Sequence, residues 1–203
     1  MRILDVAADP AVAVAAATEV LRAGGVVVIP TDTVYGIAAS PLADSTAELF
    51  RLKGRPPDQP VAVLTDSPTQ VDDIADVPEV ARRLAGRHWP GPLTLVVPRR
   101  PGLGFDLGDG EDAPSIGVRV PDHALPRALA LEVGPIAVTS ANEHGEATPT
   151  AAADAAAALA AEPALVLDGG TLQASASTVV DCTGPEPRVL REGPLTAAEL
   201  GLS

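Results

Sequence analysis

The sequence predicts a single mixed α/β domain, and three observations carry that expectation. Helix-like segments alternate with short apolar runs along the chain, polar residues cluster where the apolar runs end, and 203 residues suffice for one buried core. Polar clusters at strand ends are where open α/β sheets bind ligands.

Residues 9–23 are alanine-rich and read as a helix that Gly24-Gly25 ends, and Val26 to Pro30 follows as a buried strand. A second helix is expected over about 44–52, with Asp44 or Ser45 as N-cap, and Pro60 to Leu64 reads as a strand. Helices near 70–75 and 78–87 lead to a strand over Leu93 to Val97. Arg99 to Pro114 concentrates Gly, Asp and Pro without an apolar period, which predicts an exposed loop or flap. Strands at 115–120 and 135–139 flank a helix near 124–132. A further alanine-rich helix is expected at 150–161, then strands near 164–167, 177–181 and 187–191, and a short helix at 196–200. No internal repeat is present.

Composition narrows the function. Hydrophobic residues make up 46% of the chain, yet no apolar run approaches the ~20 residues of a membrane span. Met1-Arg2-Ile3-Leu4-Asp5 has no charged-then-apolar signal pattern, so a cytoplasmic protein with no membrane partner is expected. A net charge of −13 argues against general attraction to nucleic acid or anionic lipid. Cys182, the one cysteine, has no disulfide partner in the chain and reads as a small buried hydrophobe. Lys53 is the one lysine among fourteen basic residues, which points to a position where a compact ammonium is wanted.

Six polar clusters carry the chemistry. Pro30-Thr31-Asp32-Thr33-Val34-Tyr35-Gly36 follows the first apolar strand, and a capped turn explains it as well as a binding loop does. Lys53-Gly54-Arg55-Pro56-Pro57-Asp58-Gln59-Pro60 follows a helix, and its prolines fix an extended path on which two cations can be aimed at one polyphosphate. In Trp89-Pro90-Gly91-Pro92-Leu93-Thr94 the indole reads as a turn anchor and Thr94 as a lining residue. Ser115, Gly117 and Arg119 share one strand face, and an arginine within an apolar strand needs a carboxylate or a ligand. Thr139-Ser140-Ala141-Asn142 ends another strand, and Ser177-Thr178 with Arg191 forms the sixth cluster.

Familiar nucleotide and hydrolase motifs are absent: there is no Gly-x-x-x-x-Gly-Lys-Ser/Thr, Gly-x-Gly-x-x-Gly, His-Glu-x-x-His or Gly-x-Ser-x-Gly. His88, His123 and His144 have no metal-ligand spacing, so no protein metal site is expected.

Taken together, the clusters resemble the YrdC-like threonylcarbamoyl-AMP synthase family, in its short single-domain form, from about residue 10 to about 195. The most specific part is Lys53-x-Arg55 followed far downstream by Ser140-x-Asn142. The resemblance implies an open, twisted mixed sheet with flanking helices and a concave cleft. It further implies a nucleotidyltransferase that joins L-threonine, bicarbonate and ATP into threonylcarbamoyl-AMP and pyrophosphate, for a threonylcarbamoyl-transferase machinery acting on tRNA.

By the same resemblance Lys53, Arg55, Ser140 and Asn142 are expected to be catalytic. Arg55, Gln59, Ser115, Asn142, Thr150 and Arg191 are expected on ATP, and Thr31, Thr33, Arg119, Ser140 and Ser177 on L-threonine. Mg²⁺ is expected with ATP, held by phosphate oxygens and water. The chain departs from the family pattern in carrying Leu64 where some members have a threonine-contacting histidine. It also has Ala174-Ser175-Ala176 where a proline is usual, and it stops near residue 203, short of the extra C-terminal domain of the longer branch.

Two alternatives are a double-stranded-RNA-binding protein of the same fold and a carbamoyl-adenylate-forming domain of hydrogenase maturation. The acidic charge and 2% aromatic content argue against the first. The lack of added metal-finger and acylphosphatase-like parts argues against the second.

Overall fold

A computed structural model describes residues 1–54, 59–143, 145–172 and 175–202. Ten strands form one sheet. In chain order the elements are β1 (Arg2–Asp5), α1 (Pro10–Arg22), β2 (Val27–Ile29), β3 (Gly36–Ala39), α2 (Ala43–Lys53), β4 (Ala62–Leu64), α3 (Pro68–Ile74), α4 (Glu79–His88) and β5 (Leu93–Pro98). After the long loop come β6 (Ser115–Arg119), α5 (Ala124–Val133), β7 (Ile136–Ser140), α6 (Ala152–Ala157), β8 (Leu165–Asp168), β9 (Thr178–Asp181), β10 (Arg188–Arg191) and α7 (Ala197–Leu200). The strand order is β1-β8-β2-β3-β7-β4-β6-β5-β9-β10, with parallel and antiparallel pairs mixed as expected.

Local chemistry sets most boundaries. Asp9 caps α1 by accepting from the Ala11 and Val12 amides, with Pro10 fitting the first turn. Ser67 and Pro68 open α3 in the same way, and Thr196 with Glu199 forms a capping box on α7. Gly54 ends α2 in the left-handed conformation at φ 61°, which glycine adopts without a Cβ penalty.

Four expectations change. The α2 N-cap is Leu42, without a side-chain bond, so Asp44 sits in the first turn and complements the helix dipole there instead. The alanine-rich helix shortens to Ala152–Ala157, because the Ala160 amide donates to Leu52 O at 2.8 Å rather than continuing the ladder. Alanine favours helix by only about 0.7 kcal/mol per residue or less over ordinary residues, so a tertiary bond can end the run. β1 and β3 escape the sequence pattern: β1 is a four-residue edge strand, and β3 is Gly-Ile-Ala-Ala, whose small side chains announce no strand.

The two sheet faces are covered unequally. Alternation puts Val28, Val63, Leu95, Val118 and Val166 on one face, against Leu49 of α2, Ile74 of α3, Leu84 of α4 and Ala155 of α6. The other face presents Val27, Ile29, Leu64, Ile136 and Leu165 to Ala13, Ala17 and Leu21 of α1 and to Leu125 and Leu129 of α5. Each buried leucine contributes about 1.5–3 kcal/mol relative to exposure. α1 lies over β1, β8 and β2, and α5 over β7 and β4. The same face continues across β6, β5 and β9, where it becomes the floor of a cavity.

Candidate active site

The cavity measures about 270 Å³. Its floor is built by period-two alternation: Val138 and Ser140 from β7, Ala62 and Leu64 from β4, Ser115, Gly117 and Arg119 from β6, Thr94 and Val96 from β5. Small residues make it deep. A Cβ at Gly36 would stand 2.8 Å from Val138 Cγ1, so glycine there leaves room for the Val138 side chain on the floor.

Arg119 organises one end. Its Nε donates to Gly91 O at 2.9 Å, Nη1 to Thr33 Oγ1 at 3.0 Å and Nη2 to Asp32 Oδ1 at 2.5 Å. The sequence left a carboxylate or a ligand open as the partner of this arginine, and within the protein that partner is the Asp32 carboxylate. Burial holds the Arg119 guanidinium below the usual arginine range, and the Asp32 charge opposes that shift. A guanidinium has five N–H donors, so two remain for an incoming carboxylate. Glycine at 91 lets the turn close, because a Cβ there would lie 2.4 Å from His88 O. Trp89 anchors the turn as expected, its Nε1 donating to Leu93 O at 2.7 Å.

Thr31 and Thr33 play different parts. The Thr31 hydroxyl donates to Val34 O at 2.6 Å and accepts from the Thr33 and Val34 amides, so it is committed to its own turn. A hydroxyl has one proton. Thr33 must therefore donate across the 3.0 Å contact to Thr31, which leaves Thr33 as an acceptor facing the cavity.

Lys53 is buried behind the floor. Its Nζ donates to Ser140 O at 2.6 Å, Ser140 Oγ at 3.1 Å and Asn142 Oδ1 at 2.6 Å. Asn142 in turn donates to Glu143 O at 2.9 Å and Glu146 O at 2.6 Å. Three of the expected residues thus meet in one cluster, of which Ser140 lines the cavity.

Ser177 and Arg191 line the cavity from the β9–β10 side. Arg191 Nη2 donates to Ser177 O at 2.8 Å and Ser177 Oγ at 3.3 Å, and Ser177 Oγ shares a 2.8 Å bond with Thr94. Burial and the Arg119 charge hold the Arg191 guanidinium below its usual range. Thr178, its neighbour, is a staple: it donates to Leu195 O and accepts from the Gly193 amide.

Thr31, Thr33, Ser115, Arg119, Ser140, Ser177 and Arg191 line the cavity together, as does Leu64. Gln59 precedes Pro60, which lines it, whereas Thr150 is exposed and tied to Leu172 through its carbonyl. Arg55 and Ala174 lie outside the described residues. Sequence reasoning missed Asp109, which lines the cavity from the 99–114 loop. One cue was available there, an acidic run within a loop returning to the Ser115 strand.

Among the described residues no group of three or more His, Cys, Asp or Glu could hold a metal ion, and no helix is long and apolar enough to cross a membrane.

A family model named Sua5/YciO/YrdC, described as telomere recombination, matches residues 19–193. A Mycobacterium tuberculosis relative is 42% identical over 190 residues, covering 92% of this chain and 87% of that one. A Bacillus subtilis protein named threonylcarbamoyl-AMP synthase is 39% identical over 197 residues, covering 95% of this chain and 56% of that one. Among solved structures, Pyrococcus abyssi Sua5 complexed with L-threonine superposes with a TM-score of 0.85 at 35% identity, over 92% of this chain and 56% of that chain. Escherichia coli YciO gives 0.82 at 25% identity, over 93% and 92%. The chain thus spans little more than half of the Bacillus and Pyrococcus proteins.

Proposed function

The chain belongs to the Sua5/YciO/YrdC family, and from that premise we propose that it joins L-threonine, bicarbonate and ATP into threonylcarbamoyl-AMP, releasing pyrophosphate. The observation that carries this reading is the Arg119 end of the cavity. A buried guanidinium with two donors to spare stands beside the Thr33 acceptor, which suits the carboxylate and the amine or hydroxyl of an amino acid. The threonine complex of the Pyrococcus relative supports the same substrate.

The reaction is nucleotidyl transfer. The neutral threonine amine attacks carbon dioxide derived from bicarbonate, forming the carbamate C–N bond, and the proton it loses combines with the hydroxide that left bicarbonate to give water. A carbamate oxygen then attacks the α-phosphorus of ATP, and the bond to pyrophosphate breaks. No covalent enzyme intermediate is needed, so catalysis rests on positioning and charge stabilisation.

In this proposal Arg119, Thr33 and Ser177 hold threonine, while Ser140, fixed by Lys53 and Asn142, faces the reacting groups. Arg191 and Ser115, with Arg55, take the nucleotide. Mg²⁺ would supply charge neutralisation on the phosphates, held by their oxygens and by water. The product goes to a transferase machinery that modifies tRNA, in the cytoplasm.

Pyrophosphate release with protein, ATP, Mg²⁺ and bicarbonate tests the reading. Release should require L-threonine, and equal release without it would leave a generic ATP-cleaving enzyme.

A further inference from the structure

The cavity has a charge direction. Arg119 ends β6 and Ser115 begins it, roughly 13 Å apart at about 3.3 Å per residue. Arg191 belongs to the Arg119 end by register: it pairs with Val179, Val179 pairs with Thr94, and the β5–β6 ladder that sets Leu95 against Val118 puts Thr94 level with Arg119. Asp109 belongs to the Ser115 end: its loop leaves β5 at Pro98 and returns at Ser115, and those two residues are paired across the strands.

That loop is held in shape. The buried Arg99 side chain donates to Phe105 O and to Gly110 O, and its guanidinium sits 5.8 Å from the Phe105 ring centroid. Asp106 Oδ1 accepts from the Gly108 amide at 3.0 Å and the Gly110 amide at 3.3 Å, bracketing Asp109. The Val61 amide donates to Leu107 O at 2.9 Å, which ties the loop to the approach to β4. Asp109 is thereby presented at the cavity mouth by anchored neighbours on both sides.

A carboxylate placed against a triphosphate would be repelled. The part of ATP that offers hydrogen-bond donors without negative charge is the nucleoside. We propose that Asp109 positions the nucleotide by accepting hydrogen bonds from the ribose hydroxyls, so that the triphosphate is directed away from it. This inference rests on the ATP reading above and names a residue outside the set expected from the sequence. Asp109 is exposed at the mouth, and partial desolvation, with the Asp106 charge nearby, raises its carboxyl above the usual range.

Calorimetric titration of ATP, 2′-deoxy-ATP and 3′-deoxy-ATP into the wild type, Asp109→Asn and Asp109→Ala tests the inference, with L-threonine titrated as control. The wild type should bind ATP roughly tenfold more tightly than the weaker deoxy analogue. Asp109→Ala should bind all three nucleotides alike, with unchanged threonine affinity and an unchanged melt. Asp109→Asn, which keeps an acceptor oxygen, should retain part of the discrimination. Undiminished discrimination in Asp109→Ala would overturn the inference while leaving the synthase reading intact. Recovery of Asp109→Ala at raised Mg²⁺ would also overturn it, because the carboxylate would then act through the ion. A wild type that bound no ATP would bring down the functional reading itself, and the inference with it.

Discussion

Asp32 and Arg119 form an ion pair at 2.5 Å with side chains only 12% and 6% exposed, on the wall of a cavity that needs one cation in a fixed pose. The second Asp32 oxygen is buried without a partner, so the carboxylate is held by this contact rather than by a wider network. Asp32→Asn should keep the shape and lose the charge. Removing one partner of a buried pair costs about 3–5 kcal/mol when the other charge is left uncompensated. L-threonine binding is expected to fall by at least about tenfold, which calorimetry alongside thermal melts will show.

Asn142→Ala is expected to destabilise the fold as well as impair turnover. Its amide spans Lys53, Glu143 and Glu146, so truncation leaves a buried ammonium short of an acceptor. A loss of about 1–3 kcal/mol follows, or roughly 2–4 °C in melting temperature per kcal/mol at this chain length. Arg83→Ala is the control, because Arg83 is exposed and pairs only with Glu79 on its own helix. Arg127 of α5 would serve less well, because its Nε donates to Asp66 O at 2.9 Å.

Valine should be rejected more strongly than serine. Thr33, Ser140 and Ser177 are each fixed by protein partners, and the hydrogen-bonding capacity they keep toward the cavity goes unused against a methyl group, whereas serine vacates only a methyl contact of about 1–3 kcal/mol. Equal affinities for the two amino acids would show that these hydroxyls do not read the substrate.

Gly193→Ala should displace the Arg191 segment. A Cβ at Gly193 would stand 2.1 Å from Ala176 O and 2.7 Å from the Ser177 carbonyl carbon. Backbone cannot yield as a flexible side chain does, so about 1–3 kcal/mol of stability is expected to be lost. ATP affinity should fall with it, and titrations of variants that still melt cooperatively will separate the two losses.

Alkaline pH should expose Cys182. Burial, and then the Asp181 charge, push its thiol up to about 11 from an ordinary 9.0. The folded protein binds this proton more tightly than the unfolded chain does. The stability so contributed is complete below pH 9 and is lost as pH rises through 11, on the order of 2 kcal/mol. Cys182→Ala should flatten the stability profile over that interval, and thiol reagents should label the wild type slowly until it unfolds.

Much of this molecule is legible in the chain because it rests on local physics. Periodicity, the Gly24-Gly25 stop after α1, and the alternation of Ser115, Gly117 and Arg119 are decided by near neighbours. The sequence also shows that Arg119 needs a carboxylate or a ligand. It cannot choose among 27 acidic residues, because the choice of Asp32 depends on how the loop after β2 lies across the sheet face.

Tertiary structure alone decided the rest. β3 has no strand-like composition and exists because β2 and β7 flank it with open hydrogen-bonding edges. Lys53 reads as a cation aimed at phosphate, and folding brings Ser140 and Asn142 to it from almost ninety residues away. Asp109 enters the site because Arg99 and Asp106 shape a loop that has no period of its own. Local propensity fixes which elements form, since it acts through neighbouring dihedrals and caps. Which polar groups meet is set by long-range packing, because a buried charge takes whichever partner the completed sheet puts within reach.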